Sequence, residues 1–185
     1  MPLYVARHGQ TTWNVENRIC GLTDVPLTDV GIEQAKALAQ EAHTIGLNAI
    51  LCSPLSRAQH TAAFVSELCN LPVAIEPRLI EQNYGIYEGK DGFDPGFLAN
   101  KRLFATRYPG GESHMDVAAR VYPLLDALRE RCLRENVLLV CHGGVCRVIH
   151  TYFHPLTNEE YFHYQAPNAT LLEYRLHLSM HRRIC

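Results

Sequence analysis

Leu3-Tyr4-Val5-Ala6, followed at once by Arg7-His8-Gly9-Gln10-Thr11-Thr12-Trp13-Asn14, is the stretch that decides the fold. The apolar run reads as a buried strand. Arginine and histidine then arrive together, and Gly9 frees the backbone to turn. Arg-His-Gly is a poor way to finish a core and a good way to hold an anion beside a nucleophile. A lone histidine at a strand end is more often structural, so the meaning of this one depends on what other segments bring to it.

The same alternation of strand and helix continues down the chain. Thr28 is placed as an N-cap, and Ile32, Ala35, Leu38, Ala39 and Ala42 recur at helical spacing until Gly46 stops them. Asn48 to Cys52 reads as a second strand. Ser53-Pro54 reads as a helix start, serine as cap and proline in the first helical position, with the helix running to about Cys69. Pro72 to Ile75 is a third strand, and Arg78 to Gly85 a loop. Residues 89 to 112 are punctuated by glycine and proline, with room for one short helix near Phe97 to Thr106. Ser113 and Asp116 have the spacing of a capping box before a long amphipathic helix. Val137 to Cys141 is wholly apolar, which predicts a central strand covered on both faces. His142-Gly143-Gly144 turns into a helix through His150, and Ala169 to Leu176 is a last, edge strand. This pattern predicts an α/β three-layer sandwich, a mostly parallel sheet with helices on both faces, in a single domain over 1–185.

Composition narrows the function. A net charge of -2 with no block of basic residues argues against nucleic acid and anionic membranes as partners. No apolar stretch approaches the ~18 residues of a membrane span. Met1-Pro2-Leu3-Tyr4 lacks the basic start and long apolar run of a signal peptide, so a cytoplasmic location is expected. Seven cysteines at irregular spacing, without Cys-x-x-Cys, read as reduced thiols packed as small hydrophobes. Among ten histidines no two stand at i and i+4 on a convincing helix except His150 and His154, and Pro155 follows directly, so no metal site is expected.

Ligands of parallel sheets bind beyond the carboxyl ends of the strands. Arg7 and His8 end the first strand, Ser53 and its helix start the second, and His142 the fourth, while Glu81 lies in the loop after the third. Arg57, in the first turn of its helix, can lean back toward the strand ends. Gly143 and Gly144 open a helix whose free N–H groups favour an anion. Two arginines and a helix start suit a phosphoryl group, whose oxygens match the guanidinium fork. His8 would attack phosphorus, His142 would be a second donor to the transferring group, and Glu81 would protonate the departing alkoxide.

These segments resemble the histidine phosphatase superfamily, the phosphoglycerate mutase-like proteins. The resemblance is carried by Arg7-His8-Gly9-Gln10-Thr11 with Asn14, by Asn17-Arg18…Gly21…Asp24…Pro26-Leu27-Thr28…Gly31…Gln34-Ala35, by Ser53-Pro54-Leu55…Arg57-Ala58…Thr61-Ala62, by Glu81…Tyr84-Gly85…Glu88-Gly89, and by His142-Gly143-Gly144. It implies a catalytic set of His8, Glu81, His142, Arg7 and Arg57, with His8 phosphorylated and Glu81 the acid that later activates water. Asn14, Gln10, Gly21 and Gly143 become the substrate-binding residues. The implied substrate is a small phosphate ester, with no metal or organic cofactor.

The chain departs from the pattern where Cys20, Cys52 and Cys141 replace common polar residues. Gln82 stands where the mutases carry an arginine. The segment from 89 to 111 lacks their adjacent arginine pair, for which Lys101-Arg102 is a loose substitute. Pro109-Gly110-Gly111-Glu112-Ser113 resembles the small phosphatases, which favours hydrolysis over mutase-type transfer. Residues 90–112 are expected to set the substrate, with Phe93, Phe97 and Phe104 packing rather than touching it. Two other readings compete. Cys141 to Arg147 fits Cys-x5-Arg, which would make Cys141 the nucleophile. A non-catalytic binding module of the same fold is the other, although none of the five catalytic side chains has been lost.

Overall fold

The computed structural model describes residues 2–175. Five strands form one sheet in the order β3-β2-β4-β1-β5: β1 (Leu3–Arg7), β2 (Ala49–Cys52), β3 (Val73–Ile75), β4 (Val137–Cys141) and β5 (Leu171–Tyr174). β1, β2, β3 and β4 run parallel, and β5 pairs antiparallel with β1 as an edge. The expected edge strand is therefore present, with Leu176 outside the described residues.

The alternation of side chains builds two cores. Leu3, Val5, Val137, Leu139 and Cys141 face α5 (His114–Leu128) and α6 (Gly143–Phe153). Tyr4, Ala6, Leu138 and Val140 face α2 (Asp29–Thr44) and α3 (Ser56–Cys69). β4 is buried at every position, as a strand covered on both faces must be. The α/β sandwich of three layers expected from the sequence is the fold observed.

Local chemistry sets the helix ends. The Thr28 hydroxyl accepts from the Gly31 N–H, and Ser113 and Asp116 form the reciprocal capping box at α5. Three differences from the sequence reading matter. α3 begins at Ser56 with Leu55 as its cap, because the Ser53 hydroxyl is engaged elsewhere. The short helix of the variable segment is α4 (Pro95–Lys101), which starts earlier than expected because Asp94 caps it and Pro95 takes its first position. Two short helices, α1 (Thr12–Val15) and α7 (Asn158–His163), also form, each on a capping box: Thr11 with Asn14, and Thr157 with Glu160.

The opening loop is fixed from below. A Cβ on Gly9 would strike the carbonyl of Gly31, and one on Gly31 would strike that of Gln10, so backbone packs directly on backbone here. Among the described residues no helix is long and apolar enough to cross a membrane.

Candidate active site

The register of the sheet assembles the site. Arg7 pairs with Cys141 at the ends of β1 and β4. The His8 N–H donates to the Cys141 carbonyl at 3.0 Å, and the Ser53 N–H to the Val140 carbonyl at 3.0 Å. His8, His142 and Ser53 thus leave three adjacent strands side by side. The two imidazoles lie 5.1 Å apart, centroid to centroid.

His8 is buried, and its tautomer is set by its neighbours. Nδ1 lies 2.7 Å from the Gly9 carbonyl, which can only accept, so Nδ1 carries the proton. Nε2 is then the lone-pair nitrogen, and it accepts from Arg57 Nε at 3.3 Å. Burial, with the charges of Arg7 and Arg57 beside it, holds the ring well below the ordinary histidine pKa. A neutral imidazole whose free lone pair meets a guanidinium is a nucleophile placed for an anionic electrophile.

Arg57 is fully buried and held from behind. Its Nη2 donates to the Gly21 carbonyl at 2.7 Å and its Nη1 to the Thr23 carbonyl at 2.9 Å. Glu88 in turn fixes that loop, accepting from the Leu22 and Thr23 N–H groups at 2.8 Å each. The Gly21 carbonyl therefore helps to orient Arg57. Arg7 donates from Nη1 to the Ala166 carbonyl at 3.1 Å, while its Nε is buried with no protein partner.

His142 is the second orphan donor. Its Nε2 lies 2.6 Å from Ser53 Oγ. That oxygen already accepts from the Leu55 N–H at 3.3 Å, and the imidazole is the acceptor within reach of its proton. Ser53 then donates to Nε2, and Nδ1 becomes an N–H that is buried without a protein partner. Burial and the positive groups Arg57, His8 and Arg7 hold this ring well below the usual histidine range as well. Replacing Ser53 with alanine is expected to release this tautomer and lower kcat/KM roughly tenfold, the cost of one unsatisfied buried group. Steady-state kinetics on p-nitrophenyl phosphate would measure the loss, and ¹⁵N imidazole shifts would report the tautomer. Unchanged shifts would show that Ser53 does not set it.

Glu81 occupies the place expected for the phosphoryl group at the start of α6. Its Oε2 accepts from the Gly144 N–H at 3.0 Å, and its Oε1 from Val145 and Gln82 at 3.2 and 2.8 Å. This corrects the expectation that the helix start binds the substrate's anion: a side-chain carboxylate takes the dipole's positive end. Oε2, with one bond, keeps lone-pair capacity for a moving proton. A Cβ on Gly144 would lie 2.7 Å from Glu81 Oε1 and from the Tyr84 hydroxyl, so a larger residue there would push both side chains aside. Gly143 remains beside Arg7 on the cavity wall.

A cavity of about 550 Å³ opens over these groups. Arg7, His8, Asn14, Glu81 and Gly143 line it, with Trp13, Phe93, Phe97, Lys101 and Arg147 farther out. Arg57 and His142 form the layer beneath. The structure does not bring Gln10 into the cavity, because its side-chain carbonyl accepts from the Thr28 hydroxyl at 3.0 Å. Phe97 packs on Tyr84 and Tyr108, and Phe104 on His114 and Tyr161, as expected of packing residues. Phe93 does not pack: it stands 76% exposed at the cavity rim.

Several residues escaped the sequence reading. The Asn168 side chain donates to the His8 carbonyl at 2.8 Å and to Asn14 Oδ1 at 3.3 Å, tying the His8 loop to the end of the sheet. Thr61 accepts from the Gly9 N–H at 3.0 Å. Arg120 spans from the Arg78 carbonyl to that of Glu81 and steadies the loop that carries Glu81. Only Thr61 sat in a quoted motif; the others lie too far away in sequence to be paired by spacing.

Cys141 is fully buried, 3.5 Å from Cys146 Sγ, and burial pushes its thiol well above the ordinary range. A nucleophilic cysteine needs the opposite shift, so the Cys-x5-Arg reading fails. Among the described residues no group of three or more His, Cys, Asp or Glu side chains is placed to hold a metal ion.

Comparison with known proteins agrees with this geometry. The profile of the histidine phosphatase superfamily (branch 1) matches residues 3–180. "Probable phosphoglycerate mutase GpmB" of Yersinia pestis (strain Pestoides F) is 35% identical over 150 residues, 77% of this chain and 70% of that protein. Among solved structures, the α-ribazole phosphatase of Shigella flexneri superposes with a TM-score of 0.80 at 30% identity, covering 94% of this chain and 89% of its own. A mycobacterial glucosyl-3-phosphoglycerate phosphatase gives a TM-score of 0.80 at 32% identity, over 93% and 88%.

Proposed function

Since the chain belongs to the histidine phosphatase superfamily, branch 1, we propose that it hydrolyses small phosphate monoesters through a phosphohistidine on His8. The observation that carries this reading is the Nε2 lone pair of a neutral, buried His8, facing Arg57 Nε at 3.3 Å. The substrate's phosphoryl oxygens take over that N–H, together with Arg7 Nε, His142 Nδ1 and the Asn14 amide. Nε2 then bonds to phosphorus as the ester P–O bond breaks, and Glu81, which enters the cycle with a proton on Oε2, hands that proton to the departing alkoxide. In the second half, water attacks the phosphohistidine, Glu81 takes the water's proton, the P–N bond breaks and inorganic phosphate leaves. The positive groups that offset charge in both halves are side chains already in place.

Hydrolysis rather than isomerisation is favoured by access. A mutase must keep water from the phosphohistidine, whereas this cavity is open and rimmed by an exposed phenylalanine. Gln82, at the position of the mutases' arginine, turns its amide to the Glu112 carbonyl at 3.2 Å. The two solved relatives described above carry phosphatase names, although the Yersinia relative carries a mutase name. The test supplies 3-phosphoglycerate with a trace of 2,3-bisphosphoglycerate and follows free phosphate and 2-phosphoglycerate together. Phosphate release is expected to dominate; rapid interconversion with little phosphate would restore the mutase.

A further inference from the structure

Arg57 carries the guanidinium that meets His8, and its side chain is closed to solvent. An arginine has many rotamers, so something must choose the one that aims Nε at the imidazole. The choice is made by residues 21–24 rather than by α3. Both terminal nitrogens donate to carbonyls of that loop, Nη2 to Gly21 at 2.7 Å and Nη1 to Thr23 at 2.9 Å. The Asp24 carboxylate stands 3.6 Å from Nη1, and its other oxygen accepts from the Ser56 N–H at 2.8 Å. With the two arms of the fork held, Nε is left facing His8.

Residues 21–24 form neither helix nor strand. Their carbonyls can face Arg57 only if their N–H groups are taken up on the other side. Glu88 takes them up. Its Oε1 accepts from the Leu22 N–H at 2.8 Å, and its Oε2 from the Thr23 N–H at 2.8 Å and the Thr23 hydroxyl at 2.5 Å. The Gly21 carbonyl and the Leu22 N–H belong to one planar trans peptide unit, so they point in opposite directions. The bond that Glu88 makes to Leu22 therefore turns the Gly21 carbonyl toward Arg57. One rigid peptide unit bridges the carboxylate to the guanidinium.

The contact is close and fixed. A Cβ on Gly21 would fall 2.5 Å from Glu88 Oε1. Beside Glu88, the Gly89 N–H donates to the Ile19 carbonyl and the Ile19 N–H to the Lys90 carbonyl, at 2.8 Å each. Among the described residues Glu88 forms no ion pair, so its charge serves this loop. We infer that Glu88 is a positioning residue, which aims Arg57 at the phosphoryl site through the Gly21–Leu22 peptide unit. The kinetic part of this inference rests on the hydrolase reading; the geometric part does not.

The experiment is a double-mutant cycle on the wild type, Glu88→Ala, Arg57→Met and the double variant. Its first readout is the ¹⁵N shift of His8 Nε2 in ligand-free protein, which reports the hydrogen bond from Arg57. The shift is expected to move in Glu88→Ala toward its value in Arg57→Met, and to move no further in the double variant. The second readout is kcat/KM for p-nitrophenyl phosphate. Glu88→Ala is expected to lower it roughly 10–100-fold, the worth of one hydrogen bond to a charged group. With Arg57 already methionine, the same change should cost less than about twofold, the usual error of additivity. Glu88→Gln keeps one acceptor oxygen and should recover part of the loss. Should Glu88→Ala fail to fold, Glu88→Gln runs the same cycle with a smaller loss. A His8 shift that stays unmoved, or equal losses in both Arg57 backgrounds, would overturn the positioning role. A shift that moves as expected, in a protein whose wild type releases phosphate from no monoester, would overturn the hydrolase reading and leave the positioning role standing.

Discussion

A His8→Ala protein is expected to lose phosphatase activity by ~10⁴–10⁶-fold, the scale seen when a covalent nucleophile is removed, and to trap no phosphoenzyme. The expectation rests on the lone pair of Nε2, which neither His142 nor Cys141 can replace: the imidazole of His142 offers a donor toward the site, and the Cys141 thiol is buried against Cys146. A phosphoramidate is labile in acid and survives base. Label quenched from a phosphorylated substrate should therefore persist on the wild-type protein in base, be lost in mild acid, and be absent from the variant. Label on a Cys141 peptide would end the assignment. The pH profile is a second check. Because burial and two arginines place His8 well below its solution pKa, the ring stays neutral at pH 7. The acid limb of kcat/KM should then lie below the usual ~6.5 of a free histidine.

Glu81→Gln is expected to slow alkyl phosphates by ~10²–10⁴-fold, the usual contribution of a general acid. It should slow formation of the phosphoenzyme from p-nitrophenyl phosphate far less, since nitrophenolate leaves without a proton. The substitution is not innocent. An amide keeps one acceptor for the N–H groups of Gly144, Val145 and Gln82 but turns an NH₂ toward at least one of them. The p-nitrophenyl ester measures that disturbance alone. Equal losses on both substrates would make Glu81 a positioning group rather than the acid.

Much of this was legible because it is local. Apolar runs placed the strands, and the Thr28 and Ser113 caps fixed two helix starts, since a cap needs only its own next three residues. The Thr157–Glu160 box that begins α7 was equally readable and went unread. Polar residues with two possible employers were harder. Ser53 has the chemistry of a helix cap, yet it serves His142 across 89 positions of sequence. The N–H groups at the start of α6 suit an anion, and whether that anion is substrate or Glu81 depends on a loop 63 residues earlier. Gln10 sits in the right motif and turns away, drawn by Thr28. Asn168 carries no local signal, and only the fold brings it to the cavity. Of the adjacent pair Lys101-Arg102, Arg102 is spoken for by Glu159.

The strand that leads into His8 has neighbours drawn only from far downstream: Leu3 pairs with Val137 on one side and Tyr174 on the other. On the ribosome, β1 emerges early and waits. It has nothing to pair with until about three-quarters of the described chain has followed it, and its outer edge stays bare until β5 and Asn168 clear the exit tunnel. An apolar strand left open for that long is exposed to false partners. Closure of so many distant contacts is also slow. The final segment of the sheet therefore acts as a clasp, and the groups around His8 are held in place only once β5 has joined the strands made before it.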